Sequence, residues 1–163
     1  GLALGGIGQY KKAVLAFDNA TKIDPKYEMA FVNKGSAYIR MGEFNEAIGA
    51  LDQALKLNSN LSLAWNLKAE AFYNLGKYNE SLQAYDSALE ISPDSAQTWY
   101  TKGIILSALN RSEEAIDAFN NATRIDPKFA EAWYNLGQTL KAAGRYQEAV
   151  DAFDRGIAAK SSA

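Results

Sequence analysis

A period of 34 residues constrains this chain more than any other feature of its sequence. Small residues recur at that spacing, at Ala13, Ala47, Ser81, Ala115 and Ala149. Aromatic residues recur at the same spacing and include every tryptophan of the chain: Phe31, Trp65, Trp99 and Trp133. Glycine or alanine forms a third column, at Gly1, Gly35, Ala69, Gly103 and Gly137. Self-similarity at this period is typical of stacked supersecondary units rather than of one globular core.

Each unit is predicted to contain two helices separated by short breaks. The break inside a unit is placed at a glycine or an asparagine, residues that suit the left-handed end of a helix: Gly8, Gly42, Gly76, Asn110 and Gly144. The breaks between units are Asp24-Pro25, Asn58-Ser59, Ser92-Pro93 and Asp126-Pro127. We expect the Asp, Asn or Ser side chain to cap the next helix, with proline at its first position.

Small and large columns predict how the helices pack. Gly35 and its equivalents should let the two helices of a unit approach closely. Ala47, Leu51 and Ala54 lie on one face of a second helix. No single unit can bury this face alone, so each unit is expected to stack on its neighbours.

The motif Trp133…Leu136-Gly137…Ala149…Phe153, preceded by Asp126-Pro127, resembles the tetratricopeptide repeat family. The resemblance implies an all-α fold, a right-handed superhelical solenoid of antiparallel helix–turn–helix repeats. We expect a single array over residues 1–163, with an incomplete first repeat at 1–27. The complete repeats would then span 28–61, 62–95, 96–129 and 130–163.

Composition argues against catalysis and against several classes of ligand. The chain has no cysteine or histidine and a net charge of −2. No thiol or imidazole chemistry is therefore possible, and no cofactor or metal site is predicted. The balanced charge disfavours nucleic acid. Gly5-Gly6-Ile7-Gly8 lacks the context of a phosphate loop, and Glu113 and Glu114 are interpreted as a solvated helix surface. No apolar run is long enough for a membrane span, and a cytoplasmic location is only a default.

In the tetratricopeptide repeat family, the first helix of each repeat lines a concave face that commonly binds extended peptides. The resemblance places the candidate binding residues at Met29, Val32, Asn33, Leu63, Asn66, Tyr73, Asn74, Tyr100, Thr101, Ile104, Tyr134, Asn135 and Gln138. Some relatives clamp a terminal carboxylate with lysine, arginine and asparagine from three consecutive repeats. No set of three consecutive repeats in this chain supplies those cations. The groove is instead rich in amides and tyrosine, which suits a neutral, partly apolar peptide.

Two further surfaces are open to alternative interpretations. Lys34, Lys68 and Lys102 recur one unit apart and could form a basic ladder, although we favour stems packed on the helices with ammonium groups in water. Val150, Phe153 and Ile157 are expected to be bare on the final helix. Either the chain is a fragment of a longer protein, or these residues support end-to-end self-association into a homo-oligomer.

The leading functional hypothesis is a non-catalytic scaffold that binds a protein or peptide partner of unknown identity. One alternative is the substrate-recognition or targeting arm of a larger enzyme, for example a glycosyltransferase. Another is a self-assembling module that grows through its ends. The first two share a binding surface on the first helices, whereas the third depends on the bare ends.

Overall fold

Helices joined by short turns account for nearly all of the backbone. The computed structural model describes residues 2–161, with side chains from residue 8 onward. Within that range there are nine α-helices and no strand: α1 Leu2–Ile23, α2 Glu28–Met41, α3 Phe44–Leu57, α4 Ser62–Asn74, α5 Tyr78–Ile91, α6 Ala96–Ala108, α7 Ser112–Ile125, α8 Ala130–Ala142 and α9 Tyr146–Ser161. The helices fall into two compact units, α1 to α5 and α6 to α9.

Within each unit, helices that follow one another in sequence pack against one another. In the first unit α1 packs on α2, α2 on α3, α3 on α4 and α4 on α5. In the second unit α6 packs on α7, α7 on α8 and α8 on α9. The first helices of successive pairs also touch, α2 with α4 and α6 with α8. This arrangement confirms the predicted all-α fold of helix–turn–helix pairs.

The turn inside each complete pair uses a left-handed residue, as predicted. Gly42, Gly76 and Gly144 have φ values of 77°, 73° and 78°, and Asn110 has a φ of 58°. The N–H groups of Gly42 and Glu43 donate to the carbonyls of Ile39 and Tyr38, which satisfies the last turn of α2.

The break predicted at Gly8 is wrong, because α1 runs without interruption from Leu2 to Ile23. A glycine inside a helix costs only about 0.5–1 kcal/mol relative to alanine, so this residue type alone does not force a turn.

The turns between pairs differ from the prediction in a consistent way. Pro25 and Pro127 do not open a helix, because α2 and α8 begin three residues later, at Glu28 and Ala130. The Asp24 carboxylate accepts from the N–H of Lys26, two residues on, at 3.0 Å rather than capping α2. The Tyr27 N–H donates to the Asp24 carbonyl at 3.2 Å. Proline therefore occupies the second position of a β-turn, where its fixed φ is equally suitable.

Two of the three remaining turns repeat the side-chain contact made by Asp24, and the third precedes a capped helix. Asn58 and Asp126 accept from the N–H groups of Asn60 and Lys128 at 3.0 and 2.9 Å, in the same way as Asp24. Only the Ser92-Pro93 turn precedes a capped helix among those described. Its cap is Ser95, whose hydroxyl accepts from the Thr98 N–H at 3.3 Å.

The tryptophan column ties each turn to the helix that follows it. The indole N–H of Trp65 donates to the carbonyl of Ser59 at 3.0 Å. Trp99 and Trp133 donate to the carbonyls of Pro93 and Pro127, both at 2.9 Å. The polar edge of each indole ring thereby satisfies a turn carbonyl and holds the turn against the helix.

Close approach within a helix pair depends on a residue without Cβ facing a bulky one. A Cβ added to Gly35 would lie 2.7 Å from Leu51 Cγ, and one added to Gly103 would lie 2.7 Å from the Phe119 ring. Gly137 faces Phe153 in the same manner, at 2.6 Å. Contacts this short do not occur in folded proteins, so a Cβ at any of the three positions would force the facing side chain to shift.

We expect Gly103→Ala to lower the free energy of unfolding by about 1–3 kcal/mol, since the buried Phe119 ring cannot move aside. Gly49→Ala is the matched control, because Gly49 lies within α3 and an added Cβ there meets nothing within 4 Å. That control should be stabilising by about 0.5–1 kcal/mol through helix propensity. Urea unfolding of both variants measures the difference. Equal effects at the two sites would contradict the close-packing argument.

Tyr85 is a buried tyrosine in the core of the first unit. Burial, and to a smaller extent the charge of Glu70 on α4, raises the pKa of Tyr85 well above its ordinary value of 10.0. The unfolded chain therefore loses this proton before the folded chain does. Stability should fall as the pH rises above the ordinary value, because the unfolded state alone gains from ionisation.

Tyr85→Phe should remove a slope of up to about 1.4 kcal/mol per pH unit from the alkaline limb of the stability curve. Tyr146→Phe, at an exposed tyrosine, controls for the loss of a hydroxyl. Denaturant titrations between about pH 9 and 11 test the difference. Parallel curves for the wild type and Tyr85→Phe would contradict the assignment.

Among the described residues, no helix is both long and apolar enough to cross a bilayer.

Candidate functional site

The candidate binding residues lie on neighbouring first helices, in two separate groups. In the first unit they are on α2 and α4, and in the second unit on α6 and α8. Several are exposed: Asn33, Leu63, Tyr73, Asn74, Tyr134 and Gln138. Others are half-buried: Met29, Asn66, Tyr100, Thr101, Ile104 and Asn135. Each group thus presents side chains that a partner could contact.

The prediction that Val32 contacts a peptide is wrong. Its side chain is 1% exposed and belongs to the core cluster with Leu51, Ala54, Leu55 and Ala64. It cannot contact a peptide. Its column contains Asn66, Tyr100 and Tyr134 in the later pairs, so the same position of the repeat holds a core residue in one pair and partly or largely exposed residues in the others.

The asparagine amides are engaged with their own helices. Asn74 Nδ2 donates to the carbonyl of Glu70 at 2.8 Å, and Asn66 Nδ2 donates to that of Ser62 at 3.1 Å. Asn135 Nδ2 donates both to the carbonyl of Glu131 at 3.0 Å and to the Tyr100 hydroxyl at 3.1 Å. Both amide hydrogens of Asn135 are thereby used, and its side-chain oxygen is left to accept from a ligand. This orientation was not foreseen from the sequence.

The tyrosines of the second unit are held by aromatic neighbours. The Tyr100 ring lies 4.6 Å from that of Phe129 and 6.0 Å from that of Phe119. The Tyr134 ring lies 5.7 Å from that of Phe153, and its hydroxyl accepts from Gln138 Nε2 at 2.8 Å. Burial and the nearby Glu131 raise the pKa of Tyr100, although the bond from Asn135 opposes the change. Tyr100 is therefore a neutral hydroxyl at physiological pH.

A cavity of about 530 Å³ opens beside these tyrosines, within the second unit. Its walls include three residues predicted to bind a peptide, Tyr100, Tyr134 and Asn135, together with Glu131. They also include Phe153 and Ile157 of α9, which were predicted to support self-association. Lys160 also lines it, opposite in charge to Glu131. The structure thus brings together two sets of residues that the sequence placed in separate sites. A pocket of this size, mainly apolar with a few polar groups, is typical of ligand sites.

The predicted bare face of α9 is only partly bare. Val150 and Ile157 are 51% and 67% exposed. Phe153 is half-buried, since it lies under Gly137 and against Tyr134 and forms the floor of the cavity.

Two of the recurring lysines are paired with carboxylates, which neither interpretation of them foresaw. Lys34 Nζ lies 2.5 Å from Asp18 on α1, and Lys68 Nζ lies 2.7 Å from Asp52 on α3. Lys68 Nζ also lies 5.0 Å from the centre of the Trp65 ring, a favourable position for a cation. Each pair joins the second helix of one repeat to the first helix of the next. Lys34 and Lys68 therefore do not form a ladder for an acidic ligand.

Glu113 and Glu114 lie on an exposed surface, as predicted. Glu114 accepts two hydrogen bonds from the guanidinium of Arg111, which lower its pKa. Glu113 pairs with Arg145 at 3.1 Å. The described part of the chain brings no three potential metal-ligating side chains together. The side-chain groups that line the cavity include aromatic rings, a hydroxyl and an amide oxygen.

Comparison with known proteins identifies the repeats. A family model described as tetratricopeptide repeat matches residues 32–96 and 100–163, and a second model of the same description matches residues 1–27. No curated protein matches the chain in sequence.

Several solved structures are similar. A crystal structure of MamA has a TM-score of 0.89 at 22% identity, covering 95% of this chain and 91% of its own. MamA residues 41 to the end, from Desulfovibrio magneticus RS-1, has a TM-score of 0.84 at 19% identity, covering 95% and 88%. YrrB, described as a TPR protein with an unusual peptide-binding site, has a TM-score of 0.77 at 21% identity, covering 96% and 80%. At these identities the likeness concerns the fold alone.

Proposed function

Because this chain belongs to the tetratricopeptide repeat family, we propose that it is a non-catalytic scaffold that binds an extended peptide or partner segment on its first helices. The cavity beside Tyr100 and Tyr134 is the observation that carries the proposal. It combines an open apolar volume with fixed polar groups on two adjacent first helices. YrrB, which has a similar fold, is likewise described as having a peptide-binding site.

The tyrosine rings supply contact area at small entropic cost. Tyr134 is already oriented by Phe153 and by the bond from Gln138, so little side-chain freedom remains to be lost on binding. Its hydroxyl accepts from Gln138, and its own hydrogen can therefore be donated to a peptide carbonyl. Preorganised tyrosines of this kind are common among residues that dominate binding energy.

The polar groups restrict which peptide fits. Asn135 can only accept, so it selects a backbone or side-chain N–H of the partner. Glu131 disfavours a carboxylate in the cavity, and Lys160, which also lines it, disfavours a cation. A neutral peptide that places one apolar side chain in the cavity and an N–H on Asn135 meets these requirements.

Tyr134→Ala should weaken binding of such a peptide by more than about fivefold, which corresponds to a loss of over 1 kcal/mol at a dominant contact. A ligand is first selected from a random peptide library on the immobilised chain, and its affinity is then measured by titration calorimetry. Tyr134→Phe separates the contribution of the hydroxyl from that of the ring.

Tyr146→Ala is the matched control, because Tyr146 is an exposed tyrosine at the start of α9 that does not line the cavity. Thermal unfolding confirms that each variant remains folded. Unchanged affinity of Tyr134→Ala, or an equal loss in Tyr146→Ala, would remove the cavity from the binding site.

A further inference from the structure

Asn-x-Ser and Asn-x-Thr triplets, which are the acceptor motif for N-linked glycans, are unusually frequent in this chain. Twelve asparagines in a chain with sixteen serines and threonines would give about one such triplet by chance. The sequence contains five, which begin at Asn19, Asn60, Asn79, Asn110 and Asn121. Only Asn19 and Asn121 share a repeat column, so copying of one repeat does not explain the excess.

The triplet at Asn110 exists because two columns of the repeat change together. Asn110 stands where the other repeats have glycine, and Ser112 stands where they have tyrosine or phenylalanine. Asparagine adopts the left-handed conformation found here, with a φ of 58°, less readily than glycine does. In the α2–α3 pair the aromatic residue, Phe44, packs against a core cluster that includes Ala47, a contact that a serine cannot make. Neither change serves the packing of the repeats, yet together they complete the motif.

The asparagine and the serine of this triplet are both accessible. Asn110 is exposed in the turn between α6 and α7, and Ser112 is half-buried as the first residue of α7. The backbone N–H of Asn110 donates to the carbonyl of Ser107 at 3.0 Å. In the part of the chain whose side chains are described, no hydrogen bond engages the Asn110 amide or the Ser112 hydroxyl. A transferase can therefore reach both groups.

The triplet at Asn60 is open in the same way. Asn60 is exposed in the turn between α3 and α4, and Ser62 is half-buried as the first residue of α4. The Asn58 side chain accepts from the backbone N–H of Asn60 at 3.0 Å. Among the described side chains, none bonds to the Asn60 amide or to the Ser62 hydroxyl. We call the triplets at Asn60 and Asn110 the open triplets.

The hydroxyls of the other three triplets are engaged inside helices, and we call these the closed triplets. Ser81 is 0% exposed and donates to the carbonyl of Ala69 at 2.8 Å. Thr21 and Thr123 each donate to the carbonyl three residues earlier, both at 3.1 Å. An oligosaccharyltransferase binds the hydroxyl of an extended triplet, so a hydroxyl held within a helix is not available to it.

We propose that Asn60 and Asn110 carry N-linked glycans, each transferred from a polyprenyl-phosphate-linked oligosaccharide to the folded chain. Such transferases act on the exterior face of a membrane. The inference therefore assigns the chain to an exported location instead of the default cytoplasmic one. Because both asparagines lie in turns, a glycan on either extends into solvent without displacing a packed side chain.

The transfer step exchanges one bond for another without oxidation or reduction. The Nδ2 atom of the asparagine attacks the anomeric carbon of the first sugar and forms a carbon–nitrogen bond. The bond between that carbon and the phosphate oxygen breaks, and its electron pair leaves on the phosphate. The amide nitrogen loses one proton to a base of the transferase.

The protein isolated from the cells that make it supplies the first test. Proteolysis followed by tandem mass spectrometry should find the mass of a glycan on Asn60 and on Asn110, and none on the asparagines of the closed triplets. An unmodified asparagine at either open triplet overturns the assignment of that position. Glycans spread equally over all five triplets would overturn selection by the folded structure.

Transfer in vitro tests that selection directly. The unmodified chain is incubated with a single-subunit oligosaccharyltransferase that requires only Asn-x-Ser/Thr, together with a polyprenyl-phosphate-linked oligosaccharide. We expect two glycans on the folded chain, whereas synthetic peptides of all five triplets should each accept one, because a free peptide is not held in a helix. A folded chain that accepts none under conditions in which the peptides react would overturn the proposal.

Variants of the Asn110 triplet provide matched controls. Ser112→Ala should abolish transfer to Asn110 and leave transfer to Asn60 unchanged, while Ser112→Thr should retain both. Asn110→Gly restores the residue of the other repeats and should remove that site alone, with thermal unfolding as the check of folding. Undiminished transfer to Asn110 in Ser112→Ala would contradict the assignment. No residue of either open triplet lines the cavity beside Tyr134, so peptide binding by Asn110→Gly should equal that of the wild type whichever result is obtained.

Discussion

Close approach of two helices, where a residue without a side chain faces a bulky one, is the contact on which the rest of the structure depends. Gly35 over Leu51, and Gly103 over Phe119, bring the backbones of a pair together. The bulky residue is then fully enclosed, and the alanines beside Leu51 are buried completely. The second helix also packs on the next first helix, since Leu51 and Ala54 share one core with Ala64 of α4.

Polar contacts add orientation to this apolar packing. The tryptophan indoles hold the turns, and the Asp–Lys pairs fasten a second helix to the first helix that follows. Partly exposed ion pairs contribute little to stability by themselves. They do distinguish one alignment of the helices from its neighbours, because a slip by one turn would separate the charges while the apolar surfaces still met.

The candidate site is formed by side chains of the first helices that are not buried in the core. Tyr100 and Tyr134 extend from the first helices beyond the core, and the rings of Phe129 and Phe153 support them from below. Asn135 uses its amide hydrogens inside the structure and turns an acceptor outward. The cavity exists because Gly137 lets Phe153 approach α8, while no described helix fills the space beside Tyr134 as Phe129 fills that beside Tyr100.

The sequence by itself determined four features: the repeat length, the helix pairs, the left-handed turn residues and the glycine contacts. Each is a local property, set by backbone conformation or by side-chain size in a fixed column. Gly8 is the exception, since its column predicts a turn whereas α1 continues through it.

Only the tertiary structure decided which residues are buried and which side chains pair, because both depend on neighbours in space. Val32 and Tyr134 share a column, yet one is core and the other surface, because their size and the helix packed beside them differ. Pro25 begins a β-turn and not a helix, and Lys34 and Lys68 meet carboxylates sixteen residues earlier in the chain. The cavity joins groove residues to end residues for the same reason: periodicity gives the position of a residue within its repeat, whereas burial and pairing depend on which helix lies against it.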